Sequence, residues 1–283
     1  MSDEKGSRMV RARRLIAAAL VLALALAFAG CKAEPEEPVL QPTVAPPVIG
    51  SEGVLRVGVD MDYPPFAGTD GGVDAGIDVD IAAAVAERLG LRLELVDVGA
   101  SGAPEALASG DVDIALGATA ITEAVLADIS TAGSYLIDGP ALFSIVASGT
   151  DVPELSADSL GGMKVGVQTE SASYWAVESD FGEGYAAAYA TLREAFDALV
   201  AGEVEVVAAD AAVGAYIARD YTDLRIVGQY GSATPLGVAV PKDATELETA
   251  VREVLDTLAA EGVLDTITRK WLGDFPTLEV QAQ

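Results

Sequence analysis

Histidine is absent from this sequence, and cysteine occurs only once, at Cys31. Without histidine the chain has no Ser-His-Asp triad, no imidazole general base and no histidine-ligated metal site. A single cysteine cannot form an intramolecular disulfide. Because these absences remove most of the usual enzyme chemistries, we expect no catalytic residue, no bound metal and no cofactor.

Basic residues are also scarce: the chain has 17 lysines and arginines against 44 aspartates and glutamates, a net charge of −27. The first 30 residues hold five basic and two acidic residues, which leaves 12 basic and 42 acidic residues, a net charge of −30, in the remainder. Such a field repels nucleic acid and attracts cations. We therefore expect no nucleic-acid partner, although an acidic surface that only aids solubility would also explain the charge.

Near its start the chain has an unbroken apolar run, Leu15 to Gly30, preceded by a basic segment. The run is short for a membrane-spanning helix and typical of the apolar part of a signal peptide. Its last residues and Cys31 read AFAGC and resemble the lipobox of bacterial lipoproteins, in which small residues precede an acylated cysteine. We predict a lipoprotein signal peptide at 1–30 and lipidation of Cys31, which anchors the protein to a membrane. The alternative is a simple anchor helix followed by an unmodified cysteine.

The chain beyond the signal peptide divides into a tether and a body. Residues 31–52 are rich in proline and glutamate, which favours extended, solvated chain. In the body, strand-like runs such as 54–59 alternate with helix-like runs such as 78–89, for which Asp78 is the predicted N-cap. This alternation occurs in two similar halves and predicts two α/β lobes with mainly parallel sheets. Two such lobes usually bind a ligand in the cleft between them.

Six segments of the body together resemble the bacterial extracellular solute-binding proteins of family 3, the polar amino acid receptors of ABC importers. They are VDMDYPPF at 59–66, GIDVDI at 76–81, GDVDIALG at 110–117, LGGMKVGVQTES at 160–171, the stretch at 198–210 and KWLG at 270–273. GIDVDI fits the family signature G-[FYIL]-[DE]-[LIVMT]-[DE]-[LIVMF]. Each segment is weakly specific alone, but their order and spacing are specific, and the likeness covers about residues 53–274.

The resemblance implies an α/β, two-lobed periplasmic-binding-protein fold of type II with the ligand cleft between the lobes. It implies a first lobe at 53–145 plus 238–274, a second lobe at 146–237 and a C-terminal tail at 275–283. A ligand would close the lobes by hinge bending, and an ABC permease would read the closed form. We accordingly expect a monomeric, lipid-anchored protein in the periplasm or on the outer face of the cell membrane.

The resemblance also implies the ligand-binding residues, which are Asp62, Tyr63, Phe66, Thr119, Thr122, Ser171 and Asp210. Tyr63 and Phe66 match the family's stacking aromatics, on a loop that two prolines stiffen. Asp210 matches the acid that accepts the α-ammonium group of an amino acid. Ser171 matches a hydroxyl at a helix start that suits a carboxylate. The alternatives are that Phe66 only packs the loop onto its lobe and that Asp210 only caps the following helix.

The sequence departs from the family at 117–130, which reads GATAITEAVLADIS. The family has T-x-T-P-E-R here, and its arginine binds the α-carboxylate of the ligand. Aligned from either side, that position falls on Val125 or on Glu123, and no arginine or lysine occurs between Arg92 and Lys164. The guanidinium fork, the group best suited to hold a carboxylate bidentately, is therefore missing.

Three interpretations of the ligand remain open. The ligand is a cationic amine surrounded by acids such as Asp62, Asp210 and Glu123; or it is an amino acid held by Ser171 and backbone N–H groups; or the protein is a sensor or a degenerate paralogue without transport. A dehydratase-like enzyme on the same fold is disfavoured, because such relatives need a carboxylate-binding arginine. A purely structural surface lipoprotein is the remaining rival.

Overall fold

The computed structural model describes residues 40–280, so the predictions for the signal peptide at 1–30 and for Cys31 lie outside the described residues. The described residues, 40–280, belong to one compact unit. Its hydrophobic residues group into four clusters, all within residues 44–278. Because this unit contains its own cores, we expect it to fold without the preceding residues.

The first lobe is built on a sheet of five strands. They are β1 Val54–Val59, β4 Arg92–Asp97, β5 Ile114–Ala115, β6 Ser130–Asp138 and β12 Thr234–Val240. The strands are arranged in the order β4, β1, β5, β12, β6, with β1 parallel to β4 and β5 and with β12 antiparallel to β5 and β6. A hairpin of β2 Gly68–Asp70 and β3 Val73–Ala75 follows β1.

The second lobe is built on a sheet of five further strands. They are β7 Pro140–Ile145, β8 Val165–Gln168, β9 Ala187–Tyr189, β10 Val206–Asp210 and β11 Leu224–Gln229. The strands are arranged in the order β11, β7, β10, β8, β9. The strand β7 is antiparallel to its neighbours β11 and β10, and β8 is parallel to its neighbours β10 and β9. Both sheets are therefore mixed, whereas the alternation of elements predicts mainly parallel ones. The antiparallel strands, β6, β7, β11 and β12, are those that adjoin the two crossings between the lobes.

The chain passes from the first sheet to the second at Gly139 and returns between Gln229 and Thr234. The boundaries inferred from the resemblance, 145/146 and 237/238, fall at the end of β7 and inside β12. The difference arises because Gly139 alone separates β6 from β7, so no change in composition marks the crossing. The two crossings touch: a Cβ atom at Gly139 would lie 2.7 Å from the Cα atom of Ala233. Glycine is thus required where the hinge segments meet.

Within the described residues, seven α-helices cover the two sheets. They are α1 Ile77–Leu89, α2 Ala103–Ser109, α3 Ala172–Phe181, α4 Leu192–Ala201, α5 Ala211–Ala218, α6 Thr245–Ala260 and α7 Val263–Leu272, with 3-10 turns at Val125–Ala127 and Ala157–Leu160. Local sequence sets several ends: Thr191 and Glu194 form a capping box before α4, and Gly202 ends it in the left-handed conformation. The helix α5 follows β10 of the second sheet but also contacts α7 of the first lobe.

The described part of the predicted tether, 40–52, is docked on the first lobe instead of being solvated. The Thr43 N–H donates to the Leu89 carbonyl at 2.9 Å, and the Gly50 N–H donates to Asp113 Oδ1 at 2.7 Å. Val44 and Ile49 are buried in the first-lobe core. Proline content alone predicts solvated chain, but these apolar side chains gain more by burial, so 40–52 is not a free tether.

Candidate functional site

The candidate site lies where the two lobes face each other, beyond the carboxyl ends of β1 and β10. Tyr63 follows β1 in the first lobe, and Asp210 is the last residue of β10 in the second. The two are close enough for the charge of Asp210 to raise the pKa of the Tyr63 hydroxyl. The structure thus brings together two of the predicted site residues that are 147 positions apart in the sequence.

Tyr63 presents its ring from a turn that Phe66 supports. The ring of Phe66 stacks on that of Tyr63 with centroids 5.2 Å apart and planes 28° apart. The Tyr63 carbonyl accepts the N–H groups of both Phe66, at 2.9 Å, and Ala67, at 3.2 Å, which fixes the turn. Phe66 is 0% exposed and belongs to the first-lobe core, so it does not reach the cleft. The predicted ligand contact of Phe66 is therefore replaced by a supporting role behind Tyr63.

Asp210 precedes α5 but does not cap it with its side chain. The first amides of α5 find other acceptors: the Ala211 N–H donates to the Gly139 carbonyl at 2.8 Å, and the Ala212 N–H donates to Asp138 Oδ1 at 2.9 Å. Because the hinge segment satisfies the helix start, the carboxylate of Asp210 remains available for a ligand. Burial raises the pKa of Asp210, so a buried positive partner would stabilise its charge.

Asp138, at the end of β6, is a site residue that the sequence reasoning missed. Its Oδ1 accepts the N–H of Gly139 at 2.8 Å as well as that of Ala212, so it joins a first-lobe strand to a second-lobe helix at the hinge. Burial raises the pKa of Asp138 to about 6, and the charge of Asp210 adds to the shift. The sequence feature that could have indicated Asp138 is an acid directly before a glycine at the end of an apolar strand, YLIDG at 135–139.

The electrostatic field at Tyr63 is negative. Burial is the largest cause that raises the pKa of its hydroxyl to about 12, followed by the charges of Asp210, Asp138, Asp60 and Asp78. A bound positive group would relieve this repulsion. Asp62 is exposed, and its backbone N–H donates to Asp60 Oδ1 at 3.2 Å. Of these two acids of the loop, Asp60 rather than the predicted Asp62 is thus the one that acts on Tyr63.

The hydroxyls of Thr119, Thr122 and Ser171 all have structural partners. The Thr119 hydroxyl donates to the Leu116 carbonyl at 2.6 Å, and that of Thr122 accepts the Val125 N–H at 3.3 Å. Ser171 is the N-cap of α3, and its hydroxyl donates to the Gln168 carbonyl at 2.7 Å while it accepts the Tyr174 N–H at 3.0 Å. Since the single proton of the Ser171 hydroxyl is already used, it is poorly suited to donate to a ligand carboxylate.

No arginine is placed to replace the missing clamp among the described side chains with recorded partners. These side chains are Arg56 on Asp113, Arg88 on Glu261, Arg193 on Asp220, Arg252 on Glu248, Arg219 on the carbonyls of Lys270 and Trp271, and Arg225 on the carbonyl of Leu224. In the segment that lacks the clamp, Glu123 is exposed and Val125 begins a 3-10 turn. The side-chain charges that this geometry brings to Tyr63 are therefore acidic.

Comparisons with known proteins show the family of the chain. A sequence profile described as "Bacterial extracellular solute-binding proteins, family 3" matches residues 55–274. The chain belongs to this family.

Individual relatives of this solute-binding protein share about a quarter of its residues. The L-cystine-binding protein TcyJ of Escherichia coli (strain K12) is 25% identical over 229 residues, which is 80% of this chain and 85% of the relative. The ABC transporter glutamine-binding protein GlnH of Bacillus subtilis (strain 168) is 26% identical over 171 residues, 60% of this chain and 61% of the relative. The solved structure of an "Ancestral Cationic Amino Acid Solute Binding Protein (AncCDT-1)" is 28% identical with a TM-score of 0.67, and covers 78% of this chain and 96% of that one.

These findings confirm the predicted family and the two-lobed periplasmic-binding-protein fold of type II. The solute-binding protein acts outside the cytoplasm, as the family description states. The named relatives are binding proteins and not enzymes, in agreement with the prediction that the chain is not an enzyme. Within residues 40–280, no helix has the length and the apolar character that crossing a membrane requires.

The family signature GIDVDI acts mainly in folding. Gly76 has φ 149°, and a Cβ atom there would lie 2.1 Å from the Phe66 carbonyl oxygen, so glycine lets α1 start against the Tyr63 turn. Asp78 is not the predicted N-cap, because Gly76 holds that position and Asp78 points inward. Asp80 accepts the Trp271 Nε1–H and the Lys270 ammonium, both at 2.6 Å, which ties α1 to α7.

Asp78 is completely buried and anchors the segment that lacks the clamp. Its Oδ2 accepts the N–H groups of Gly117 at 2.7 Å and Ala118 at 3.2 Å. Burial raises the pKa of Asp78 to about 6, although these two N–H groups and the nearby Tyr135 hydroxyl lower it. Asp78 Oδ1 and the Tyr135 hydroxyl lie near each other but form no hydrogen bond of good geometry. Asp78 therefore holds two backbone N–H groups of this segment, while its burial disfavours the charged form.

Proposed function

We propose that this solute-binding protein is the lipid-anchored receptor of an ABC importer and that it captures a small organic cation, either a cationic amine or an amino acid with a cationic side chain, by hinge closure. The observation that carries the proposal is the available carboxylate of Asp210 beside Tyr63. A charge-assisted hydrogen bond in a closing cleft is strong. The ligand's positive charge would also stabilise the ionised form of the partly buried Asp210 and Asp138.

Among the described residues, the charged groups that act on Tyr63 are all acidic, which supports a cation over an ordinary zwitterionic amino acid. No lysine or arginine lies between Arg92 and Lys164, and the Ser171 hydroxyl is already a donor within its own turn. A ligand carboxylate would therefore have to rely on backbone N–H groups. Among the relatives, the ancestral protein named for cationic amino acids supports a cation, whereas those named for cystine and glutamine support only an amino acid as the class of solute.

Closure is proposed to occur about the two crossings, at Gly139 and at 230–233. Asp138 adjoins the first crossing and interacts with α5, whose preceding residue is Asp210. A ligand that neutralises these acids more completely when the lobes are closed favours the closed form, which is what a permease needs to recognise. Sensing without transport uses the same closure and stays the second candidate.

A panel of small molecules tests this proposal. We expect cations such as arginine, lysine, choline and putrescine to raise the melting temperature of the 40–283 unit in a dose-dependent way, because binding stabilises the folded state. Glutamate and succinate are expected to give no shift, since the site repels them. The measurement is differential scanning fluorimetry at pH 7.5 and low salt. Stabilisation by glutamate without stabilisation by any cation would overturn the proposed site.

The lipid anchor at Cys31 is the second part of the proposal. Nine residues, 32–40, separate Cys31 from Gln41, and a chain of this length spans at most about 30 Å. The binding unit would therefore stay close to the membrane surface, as delivery to a permease requires.

A Cys31→Ala substitution in the full chain tests the anchor. We expect it to move the protein from the washed membrane fraction to the soluble fraction of a bacterial host, because the cysteine carries the acyl chains. Fractionation followed by immunoblotting measures the distribution, and the unchanged chain is the control. Equal membrane retention of both proteins would show that the apolar run alone is the anchor.

A further inference from the structure

Trp175 is a large apolar side chain that the fold leaves 60% exposed. Burying an indole removes a large apolar area from water and stabilises the protein, and an exposed indole does not contribute this free energy. Trp175 lies in the first turn of α3, four residues after the N-cap Ser171, and its N–H donates to the Ser171 carbonyl at 3.2 Å. The fold therefore leaves this indole uncovered near the start of a helix.

The start of α3 lies at the same edge of the second sheet as Asp210. The neighbouring strands β8 and β10 are parallel, and α3 packs against both. Ser171 follows β8 by three residues, and Asp210 ends β10, so both mark the edge that faces Tyr63. Helical side chains lean toward the N-terminus of their helix, which directs Trp175 toward this edge.

The exposed indole has a defined orientation. The ring of Tyr174 meets that of Trp175 edge to face, with centroids 4.8 Å apart and planes 74° apart. Tyr174 itself packs against the second-lobe cluster that contains Val177 and Val206. Trp175 is therefore supported from one side while its remaining surface stays in solvent, as Phe66 supports Tyr63 in the first lobe.

We propose that Trp175 is the second wall of an aromatic cage, whose indole meets an organic cation opposite Tyr63 when the lobes close. This inference rests on the proposed function and narrows its ligand class. The faces of aromatic rings attract cations, and tryptophan does so most strongly. A diffuse, weakly hydrated charge, such as a quaternary ammonium or a guanidinium, fits two rings and the carboxylate of Asp210 better than a small primary amine does.

Calorimetric titration of choline and of L-arginine into the 40–283 unit tests the cage. Trp175→Ala is expected to weaken binding of the tighter of the two probes about three- to thirty-fold, the range that one cation–π contact supplies. Trp175→Phe is expected to recover part of this loss. Trp175→Leu, which keeps apolar bulk without a π face, is expected to recover none. Because Trp175 is exposed, all three variants should keep the melting temperature of the parent protein.

Tryptophan fluorescence adds a readout specific to closure. The chain has two tryptophans, and Trp271 is held by Asp80 on the first lobe. Binding is expected to shift the emission of the parent and of Trp271→Phe to the blue, because Trp175 leaves water, but not that of Trp175→Phe. Unchanged affinity of Trp175→Ala, or equal affinities of the Leu and Phe variants, would overturn the cage and leave the proposed function standing. Failure of the parent protein to bind any cation would overturn both.

Discussion

Asp210→Asn is expected to weaken cation binding by at least about 30-fold while the protein stays folded. The substitution keeps the shape and an acceptor oxygen but removes the charge, and the loss of one partner of a desolvated charge pair typically costs about 2–5 kcal/mol. The side chain does not cap α5, so no helix end is lost. Removing a carboxylate whose pKa is raised by burial should leave the free energy of unfolding unchanged or slightly higher.

Asp62→Asn is the matched control for this experiment. It removes the same charge from an exposed acid on the first-lobe loop, which the sequence placed among the ligand contacts. We expect a change in affinity of less than about two-fold, because exposed charges contribute little. Isothermal titration with the tightest cation of the panel measures both variants. If Asp62→Asn loses binding and Asp210→Asn does not, the ligand lies against the loop and not in the geometry described here.

The protein is expected to be more stable at pH 4.5 than at pH 7, mainly because of Asp78 and Asp138. Their pKa values of about 6 lie above the usual value of 3.8, so the folded state binds their protons more tightly than the unfolded state does. Their stabilising contribution is present below about pH 4 and is lost as the pH rises through 6. A shift of two units corresponds to about 3 kcal/mol for each group.

Urea unfolding of the parent and of Asp78→Asn at pH 4.5 and pH 7 measures this contribution. The variant cannot titrate at this position, so its loss of stability between the two pH values should be smaller by up to about 3 kcal/mol. Glu178 and Glu261, whose pKa values are lowered, act in the opposite sense, but they are common to both proteins and cancel in the comparison. Equal pH dependence of the two proteins would show that Asp78 does not titrate in this range.

A cationic ligand should reverse part of this dependence. When a positive group enters the site, the ionised forms of Asp210 and of Asp138, whose pKa is about 6 in the empty protein, are favoured and their pKa values fall. Binding should therefore strengthen between pH 5 and pH 7, where the empty protein loses stability. The same acids that destabilise the empty site thus give the ligand its affinity, because the bound cation offsets their unfavourable burial.

Much of the fold was readable from local sequence. Repeated alternation of strands and helices predicted two α/β lobes, and the ordered segments from VDMDYPPF to KWLG predicted the family. The crossings at Gly139 and 230–233 were misplaced, because the chain continues from β6 into β7 without a turn. The length of the predicted tether, 31–52, was also overestimated. The prolines at 42–47 suggested solvated chain, whereas Val44 and Ile49 are buried in the first lobe.

The site was only partly predictable, for a physical reason. The sequence by itself determined that the chain lacks histidine, that no basic residue occupies the clamp segment, and that Tyr63 and Asp210 are candidate ligand contacts. Only the tertiary structure decided that Phe66 is buried, that Asp138 takes over the capping of α5 and leaves Asp210 available, and that Asp60 rather than Asp62 acts on Tyr63. Residue types and local periodicity are properties of neighbouring positions. Burial and the choice of hydrogen-bond partner depend instead on segments far apart in the sequence, such as Asp138 and Ala212, which are 74 positions apart and meet at the hinge.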